Sequence, residues 1–174
     1  MSKSGEKIYV PGLDNVTYGP VPKEEQLFQL ELLEIAPSPI PVDRFFFVIL
    51  RGSIPEPKET LLRAANDLAN ATLSITLSVV RENGVHEKPE TYTVPFRTTA
   101  FADHAHISIR ETVGSYVDHL AYGGQYDILA DYAIPGVFVY IGMWTFNIVA
   151  NLEDGTCLFA YSLTQWLEGR IHSH

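Results

Sequence analysis

The feature that most constrains this chain is a strict alternation of apolar and polar side chains. In the segment NATLSITLSVV, Leu73, Ile75, Leu77 and Val79 occupy every second position, and Ser or Thr residues lie between them. Successive side chains of a β-strand point to opposite faces of its sheet. The pattern therefore predicts a strand with one buried face and one face in water.

The same alternation recurs in three runs between residues 126 and 163, separated by turn residues such as LEDGT. Asp127 and Asp131 lie on the opposite face of the first run, where we expect them to be solvated. The predicted inward faces are rich in aromatic residues. They are Tyr126, Ile128, Ala130, Tyr132 and Ile134 in the first run, Trp144, Phe146, Ile148 and Ala150 in the second, and Cys157, Phe159, Tyr161 and Leu163 in the third.

Further strands are predicted on either side of these runs. LFQLELLEI places Phe28, Leu30 and Leu32 on one face, whereas RFFFVIL is apolar on both faces, which is typical of a central strand. We place Phe45 and Phe47 of that strand on the inward face. TYTVPF and HAHISIRETV predict two more strands, and in the second of these the apolar face is Ala105, Ile107 and Ile109.

Roughly seven or eight short strands with regular turn signals predict an all-β, antiparallel sandwich or barrel. One short helix is predicted over residues 61–69, where Leu and Ala recur at helical spacing. Residues 1–26 contain several Pro and Gly residues without periodicity, and we expect an N-terminal arm there. Residues 27–174 then form a single sandwich domain, a size that one hydrophobic core can support.

Composition excludes several function classes. The formal net charge of −9 opposes binding to nucleic-acid phosphates. No apolar run is long enough for a transmembrane segment. Cys157 is the single cysteine, so no internal disulfide is expected. Because the first residues do not resemble a secretory leader, we expect a cytoplasmic protein.

The segments LELLEIAPSPIPVDRFFFVILRGSIPEP and YDILADYAIPGVFVYIGMWTFNIVANLEDGTCLFAYSL resemble the ML lipid-recognition family of sterol and phospholipid carriers. The similarity covers about residues 27–163. It implies an immunoglobulin-like β-sandwich that holds a lipid or sterol between its sheets. Family members are usually secreted and carry paired cysteines, so this chain would be a cytosolic relative without the disulfides. The immunoglobulin-like prenyl-binding domain of Rho guanine-nucleotide dissociation inhibitors is a second protein that it resembles.

The inward aromatic residues either fill a closed core or line a pocket. Buried Tyr hydroxyls and a Trp N–H need hydrogen-bond partners, and each unpaired group costs about 1–3 kcal/mol, which favours a cavity or ligand nearby. The predicted ligand-binding residues are Phe45, Phe47, Leu73, Ile75, Leu77, Tyr126, Ile128, Tyr132, Trp144, Phe146, Phe159 and Tyr161.

A catalytic alternative rests on a short segment beside a Gly pair. An Asp can orient a His as a general base, with a Tyr as proton donor, although neighbours on an extended chain, such as Asp118 and His119, point in opposite directions. His104 and His106 lie opposite an apolar face, so we expect them to face solvent and expect no metal site. The candidate catalytic residues are Tyr116, Asp118, His119 and Tyr132.

The function predicted from the sequence is binding of a hydrophobic small molecule (a lipid, sterol, isoprenoid or polyketide) between two β-sheets, without a cofactor. The first alternative is a cofactor-independent cyclase or isomerase that acts on a hydrophobic intermediate of secondary metabolism in the same pocket. The second is a chaperone for the prenyl tail of a small signalling protein. A homodimer is compatible with each of them.

Overall fold

The computed structural model describes residues 8–12, 15–56, 66–102 and 105–172, and it describes their side chains except at 66–67 and 100–102. The strands are β1 (Val16–Tyr18), β2 (Gln29–Ala36), β3 (Phe45–Ser53), β4 (Thr72–Arg81), β5 (Glu90–Pro95), β6 (Thr99–Ala102), β7 (Ala105–Glu111), β8 (Tyr116–Val117), β9 (Gln125–Ala133), β10 (Gly142–Asn151) and β11 (Cys157–Leu167). A short helix α1 (Asn66–Ala69) and two 3-10 turns, Lys23–Glu25 and Gly136–Phe138, complete the described elements.

These strands form two antiparallel sheets. Sheet 1 has the order β1-β11-β10-β4-β5, and sheet 2 has the order β2-β3-β9-β7-β6, with β8 paired to β7. The predicted all-β antiparallel sandwich is confirmed. The structure contains more strands than the periodicity predicted because β1, β6 and β8 span only two to four residues, too short for an alternating pattern.

The closed part of the core lies where aromatic rings from both ends of the chain meet. Phe159 contacts three other rings, with centroid distances of 6.0 Å to Phe28, 5.4 Å to Phe96 and 5.2 Å to Tyr161. Edge-to-face and offset ring contacts of this kind add to the free energy gained by burying the rings. Phe159 is only 2% exposed, so it joins the start of β11 to the rest of the core.

The predicted N-terminal arm covers the edge of β11. Val16–Tyr18 pairs with Leu163 to Tyr161, and the backbone N–H groups of Leu27 and Phe28 donate to the carbonyls of Cys157 and Leu158. Residues 157–161 at the start of β11 are all buried. The arm therefore protects a strand whose backbone groups would otherwise be an open sheet edge.

Strand β3 differs from its predicted orientation. Phe45 and Phe47 lie on the outer face, 45% and 42% exposed, and the inward aromatic residue is Phe46. The register pairs Arg51 with Asp127 of β9, and these charged side chains point outward. The odd-numbered residues of β3, including Phe45 and Phe47, lie on the same outer face as Arg51. The pattern of RFFFVIL does not show which residues face inward, because the residues on both faces are apolar.

Strand β2 changes face part-way along its length. Its pairing with β3 shifts between Leu30 and Leu32, and the next buried residue is Leu33 rather than Leu32. Such an irregularity inserts an extra residue and reverses the parity beyond it. Phe28 and Leu30 are buried as predicted.

The predicted helix over residues 61–69 is described only at its end, as α1, and residues 61–65 lie outside the described part of the chain. Within the described ranges, no helix is both long enough and apolar enough to cross a membrane.

Replacing Phe159 with Ala should lower the free energy of unfolding by about 3–5 kcal/mol, because the substitution removes a buried ring with three aromatic neighbours. Phe47→Ala is the matched control, and we expect a change within about 0.5 kcal/mol because that ring lies on the surface. Urea unfolding of the purified variants measures both values. A similar loss in the two variants would contradict the assigned faces of β3 and β11.

Candidate functional site: a cleft between the sheets

A row of five side chains crosses the inner face of sheet 1. Tyr92, Ile75, Ile148, Tyr161 and Tyr18 are successive register partners on β5, β4, β10, β11 and β1. Directly opposed residues of antiparallel strands share one face of the sheet. All five side chains therefore point towards sheet 2.

Exposure along this row is lowest at Tyr161 and highest at Tyr92, and Tyr18, beyond Tyr161, is half-buried. Tyr161 is 4% exposed, Ile148 and Ile75 are half-buried, and Tyr92 is 53% exposed although it faces the other sheet. An inward-facing side chain can be exposed only where the opposing sheet does not cover it. The inner face of sheet 1 is therefore covered at β11 and partly open to solvent at β5.

Sheet 2 also has inward-facing residues that are not fully covered. Val48 and Ala130 are half-buried on the inner face, and Tyr132 is 41% exposed, with its ring edge-on to Phe46 at 6.2 Å. We call the space between these residues and sheet 1 the inter-sheet cleft. Its walls are Val48, Ala130 and Tyr132 from sheet 2, and Ile75, Leu77, Tyr92, Trp144 and Ile148 from sheet 1.

Two tyrosines mark the mouth of the cleft. Tyr92 donates a hydrogen bond of 2.8 Å from its hydroxyl to Glu90. The pKa of Tyr92 is raised above its usual value, first by this hydrogen bond and in smaller part by Tyr132 of the other sheet. Beside the mouth lies an open depression of about 460 Å³ lined by the consecutive residues Lys88, Pro89, Glu90, Thr91 and Tyr92.

The predicted ligand-binding residues fall into three groups in the structure. Ile75, Leu77, Tyr132 and Trp144 line the inter-sheet cleft, and Phe45 and Phe47 lie outside the sandwich. The rest belong to the closed core, namely Leu73, Tyr126, Ile128, Phe146, Phe159 and Tyr161.

Four cleft residues are missing from the predicted ligand-binding set. Ala130 and Ile148 were predicted to face inward but were not assigned to the ligand site, Val48 lies on a strand whose inward face was ambiguous, and Tyr92 belongs to the short strand β5. For Tyr92 a signal was available, because it alternates with Val94 in TYTVPF. The exposure of all four depends on how far the opposing sheet covers them, which alternation does not encode.

Among the inward aromatic residues, some polar groups have a hydrogen-bond partner in the described part of the chain and others do not. Trp144 donates its ring N–H to the carbonyl of Tyr140 at 2.9 Å, and the hydroxyl of Tyr126 accepts a hydrogen bond from the N–H of Ala121 at 2.9 Å. In contrast, the hydroxyls of Tyr18, Tyr122 and Tyr161 and the side-chain oxygen of Gln26 are buried without a partner among the described residues. Burial raises the pKa of both Tyr18 and Tyr161.

The structure does not bring the four candidate catalytic residues together. Tyr116 is 68% exposed and pairs with Arg110 of β7, whereas Tyr132 pairs with Ala105 of the same strand. The five strand positions between these partners correspond to about 17 Å. No acid–base pair from this set therefore reaches the inter-sheet cleft.

Asp118 and His119 do contact each other, contrary to the expectation from an extended chain. The distance between His119 Nδ1 and Asp118 Oδ2 is 3.4 Å, because the two residues lie in a bend after β8. Asp118 also contacts Arg97 at 3.2 Å, and all three side chains are at the surface. This arrangement is a surface ion-pair group.

The outer face of sheet 2 carries a compact charge network. Asp127 accepts hydrogen bonds from Arg51 at 2.8 Å, Arg110 at 3.0 Å and Thr112 at 3.3 Å, and it is 9% exposed. It is therefore covered by its partners rather than solvated as predicted. The hydrogen bond from Arg51 is the largest cause that holds the pKa of Asp127 below its usual value.

The second acidic residue of β9 has a histidine partner. Asp131 lies 3.1 Å from His106 Nδ1 on the same outer face, where His106 was expected, and the other member of the histidine pair, His104, lies outside the described residues. Over the described ranges, no group of three or more His, Cys, Asp or Glu side chains has a metal-binding arrangement.

No protein-family model matches this chain, and no curated protein matches it. The solved structures similar to it include a family 123 glycoside hydrolase from Clostridium perfringens, studied for glycolipid glycan hydrolysis. That similarity has 9% sequence identity and a TM-score of 0.29, and it covers 75% of this chain but only 22% of the hydrolase. A similarity this low carries no inference about this chain, and the resemblance to the ML family stays a prediction.

Asp127→Asn should lower the free energy of unfolding at neutral pH by about 1–2 kcal/mol, because two arginines lose their charged acceptor. The pKa of Asp127 is lower in the folded protein than in the unfolded chain. Its stabilising effect is therefore complete above the unfolded value of about 3.9 and is lost as the pH falls through the folded value.

Urea unfolding of both proteins across this pH range checks the prediction. The difference between wild type and variant should shrink below about pH 4. A difference independent of pH would show that the amide perturbs packing and that the charge of Asp127 contributes nothing.

Proposed function

We propose that this protein binds an apolar small molecule or lipid chain in the inter-sheet cleft. The observation that carries the proposal is that aliphatic and aromatic side chains in the middle of both sheets face inward and yet remain accessible. Ligand sites are typically concave and mostly apolar, with a few polar groups that orient the ligand. The cleft has this composition, since its walls are aliphatic and aromatic and its polar groups lie at the mouth. They are the hydroxyls of Tyr92 and Tyr132 and the carboxylate of Glu90, which is the register partner of Leu77 and accepts the hydrogen bond from Tyr92.

The free energy available from the cleft is consistent with binding. Burying apolar surface is favourable by roughly 25 cal/mol per Å², and half-buried residues such as Ile75, Leu77 and Ile148 retain surface that a ligand would cover. Without a ligand, this apolar surface is in contact with water. An elongated apolar ligand that enters at Tyr92 and lies along Ile75 and Ile148 would remove it.

Catalysis is not proposed, because no observation favours it. Tyr132 is the one candidate catalytic residue that lines the cleft, and its described neighbours there are apolar or aromatic. A lipid, sterol, isoprenoid or polyketide chain, including a prenyl tail on a protein, would satisfy the same apolar walls. The first experiment therefore measures whether a ligand occupies the cleft, and the identity of that ligand is a separate question.

Ala130→Trp should block the cleft. Ala130 is small, half-buried and points inward, so an indole at this position would fill the space that the ligand is proposed to occupy. Leu129→Trp is the matched control, since Leu129 is the neighbouring residue on the outer face of the same strand, 39% exposed. We expect Ala130→Trp to weaken binding of the neutral fluorophore N-phenylnaphthylamine by at least about tenfold, and Leu129→Trp to leave it unchanged.

Circular dichroism and urea unfolding establish whether both variants fold. If Ala130→Trp is unfolded, Tyr92→Ala replaces it, because the exposed Tyr92 is not needed for the core; we expect about tenfold weaker binding. Failure of the wild-type protein to bind the fluorophore, or equal binding by the wild type and the cleft variants, would refute the proposed function.

A further inference from the structure

Strand β5 forms one edge of sheet 1, and its outer side has no strand partner among the described residues. Glu90, Thr91, Tyr92 and Thr93 are all exposed. The open depression of about 460 Å³ lined by residues 88–92 lies along part of the same edge. An edge strand presents unpaired backbone N–H and C=O groups, which a strand from another chain can extend. This edge is therefore open to pairing.

The pairing of β5 with β4 determines which backbone groups point to the open side. Phe96, directly after β5, donates its N–H to the carbonyl of Ala71 at 2.9 Å, so the backbone groups of Phe96 point towards β4. Along an antiparallel strand, this orientation alternates from one residue to the next. The N–H and C=O groups of Thr91 and Thr93 therefore point away from β4.

Two pairs of hydroxyl groups agree with this assignment. The side-chain oxygens of Ser74 and Thr93 are 3.1 Å apart, and those of Thr76 and Thr91 are 3.0 Å apart. Side chains approach each other most closely at the non-hydrogen-bonded positions of an antiparallel pair. At such positions the backbone groups of both residues point away from each other, which is the orientation assigned to Thr91 and Thr93.

Proline limits the open edge at both ends. Pro89 and Pro95 alternate in step with Thr91 and Thr93, and proline has no N–H to donate. Within residues 89–95, the outward N–H groups are therefore those of the two threonines. A strand that pairs with this edge forms hydrogen bonds over its middle alone.

The segment PETYTVP is nearly symmetric about Tyr92. In two antiparallel copies centred on this residue, Thr91 of one copy opposes Thr93 of the other, and each such pair can exchange N–H···O bonds in both directions. Pro89 opposes Pro95, so the positions without a donor face each other. A two-fold interface requires a surface that is complementary to itself. The edge of β5 meets this requirement, whereas an unrelated strand has no reason to match it.

The distribution of charge is compatible with this symmetric pairing. The formal net charge of −9 makes two copies repel each other in general. Within PETYTVP, however, Glu90 is the one charged residue, and it opposes Val94 of the other copy in this register. The two Glu90 residues are then four strand positions apart, roughly 14 Å, which exceeds the Debye length of about 8 Å at physiological salt.

We propose that two copies of this chain pair through β5 in an antiparallel register centred on Tyr92, so that sheet 1 continues from one copy into the other. Tyr92 of each copy then opposes the partner's Tyr92, and cross-strand aromatic pairs of this kind are favourable. Because Tyr92 lies at the mouth of the inter-sheet cleft, the second copy would border that mouth. The pairing does not require a bound ligand, so it stands apart from the proposed function.

Sedimentation equilibrium of the purified chain tests the pairing. We expect a reversible monomer–dimer equilibrium in the wild type. Thr93→Pro should raise the dimer dissociation constant at least about tenfold, because it removes an outward N–H from each copy. Proline is tolerated on an edge strand where the N–H faces solvent, so we expect the variant to fold. Thr93→Ala is the matched control, since it loses the same contact with Ser74 but keeps the N–H, and it should dimerise like the wild type.

Cysteine variants test the register. Opposed residues at a non-hydrogen-bonded position have Cα atoms about 4.5 Å apart, within the range that a disulfide spans. Tyr92→Cys should therefore give a disulfide-linked dimer under mild oxidation. Thr91→Cys is the control on the same exposed edge, because in this register its two thiols belong to Cα atoms more than about 7 Å apart. The native Cys157 is buried and does not compete.

Each outcome supports or overturns the pairing. A wild type that is monomeric at every concentration overturns it and leaves the edge to solvent or to a strand of another protein. A dimer that Thr93→Pro does not weaken, or that Thr93→Ala weakens equally, does not use the backbone of β5 and also overturns it. Equal cross-linking of Tyr92→Cys and Thr91→Cys overturns the register.

Circular dichroism establishes whether Thr93→Pro folds, and if it does not, the two cysteine variants decide the question. Fluorophore binding by the inter-sheet cleft is measured independently of the dimer. Failure of the pairing therefore leaves the proposed function standing, and failure of fluorophore binding leaves the pairing standing.

Discussion

The register of β10 with its two neighbours is the constraint on which the rest of the structure depends. Ten residues of β10 pair with β4, and the same strand pairs with β11 along nearly its whole length. This double pairing puts Ile75, Ile148 and Tyr161 in one row on the inner face. A shift of one position would move every side chain of a strand to the opposite face, so the cleft walls and the buried phenols depend on the same hydrogen-bonded ladder.

Strand β3 of sheet 2 is oriented by charge rather than by its own hydrophobic pattern. Arg51 and Asp127 are register partners that must reach each other at the surface, and the pair is completed by Arg110 from β7. Because β3 is apolar on both faces, hydrophobic burial alone does not distinguish its two orientations. The charge network selects the one in which Phe46 faces inward and Phe47 faces outward.

How far the sequence predicted the site depended on the pattern of each strand. Where apolar and polar residues alternate strictly, as in β4 and β10, the inward residues were predicted correctly, including Ile75 and Trp144. Where the pattern is ambiguous, as in β3, or interrupted by a shift in pairing, as in β2, the predicted faces failed at Phe45, Phe47 and Leu32. Alternation reports which face a residue occupies, whereas it contains no information about the register between strands.

The amino-acid sequence by itself determined the all-β class, the antiparallel sandwich and the inward faces of the alternating strands, because these follow from the two-residue period of a strand and from the burial of apolar groups. Only the tertiary structure decided which inward residues are covered. Phe159 and Tyr161 are covered, whereas Tyr92 and Tyr132 face inward and remain exposed. This difference arises from packing between residues distant in the chain, and for this reason the cleft emerges only when both sheets are in place.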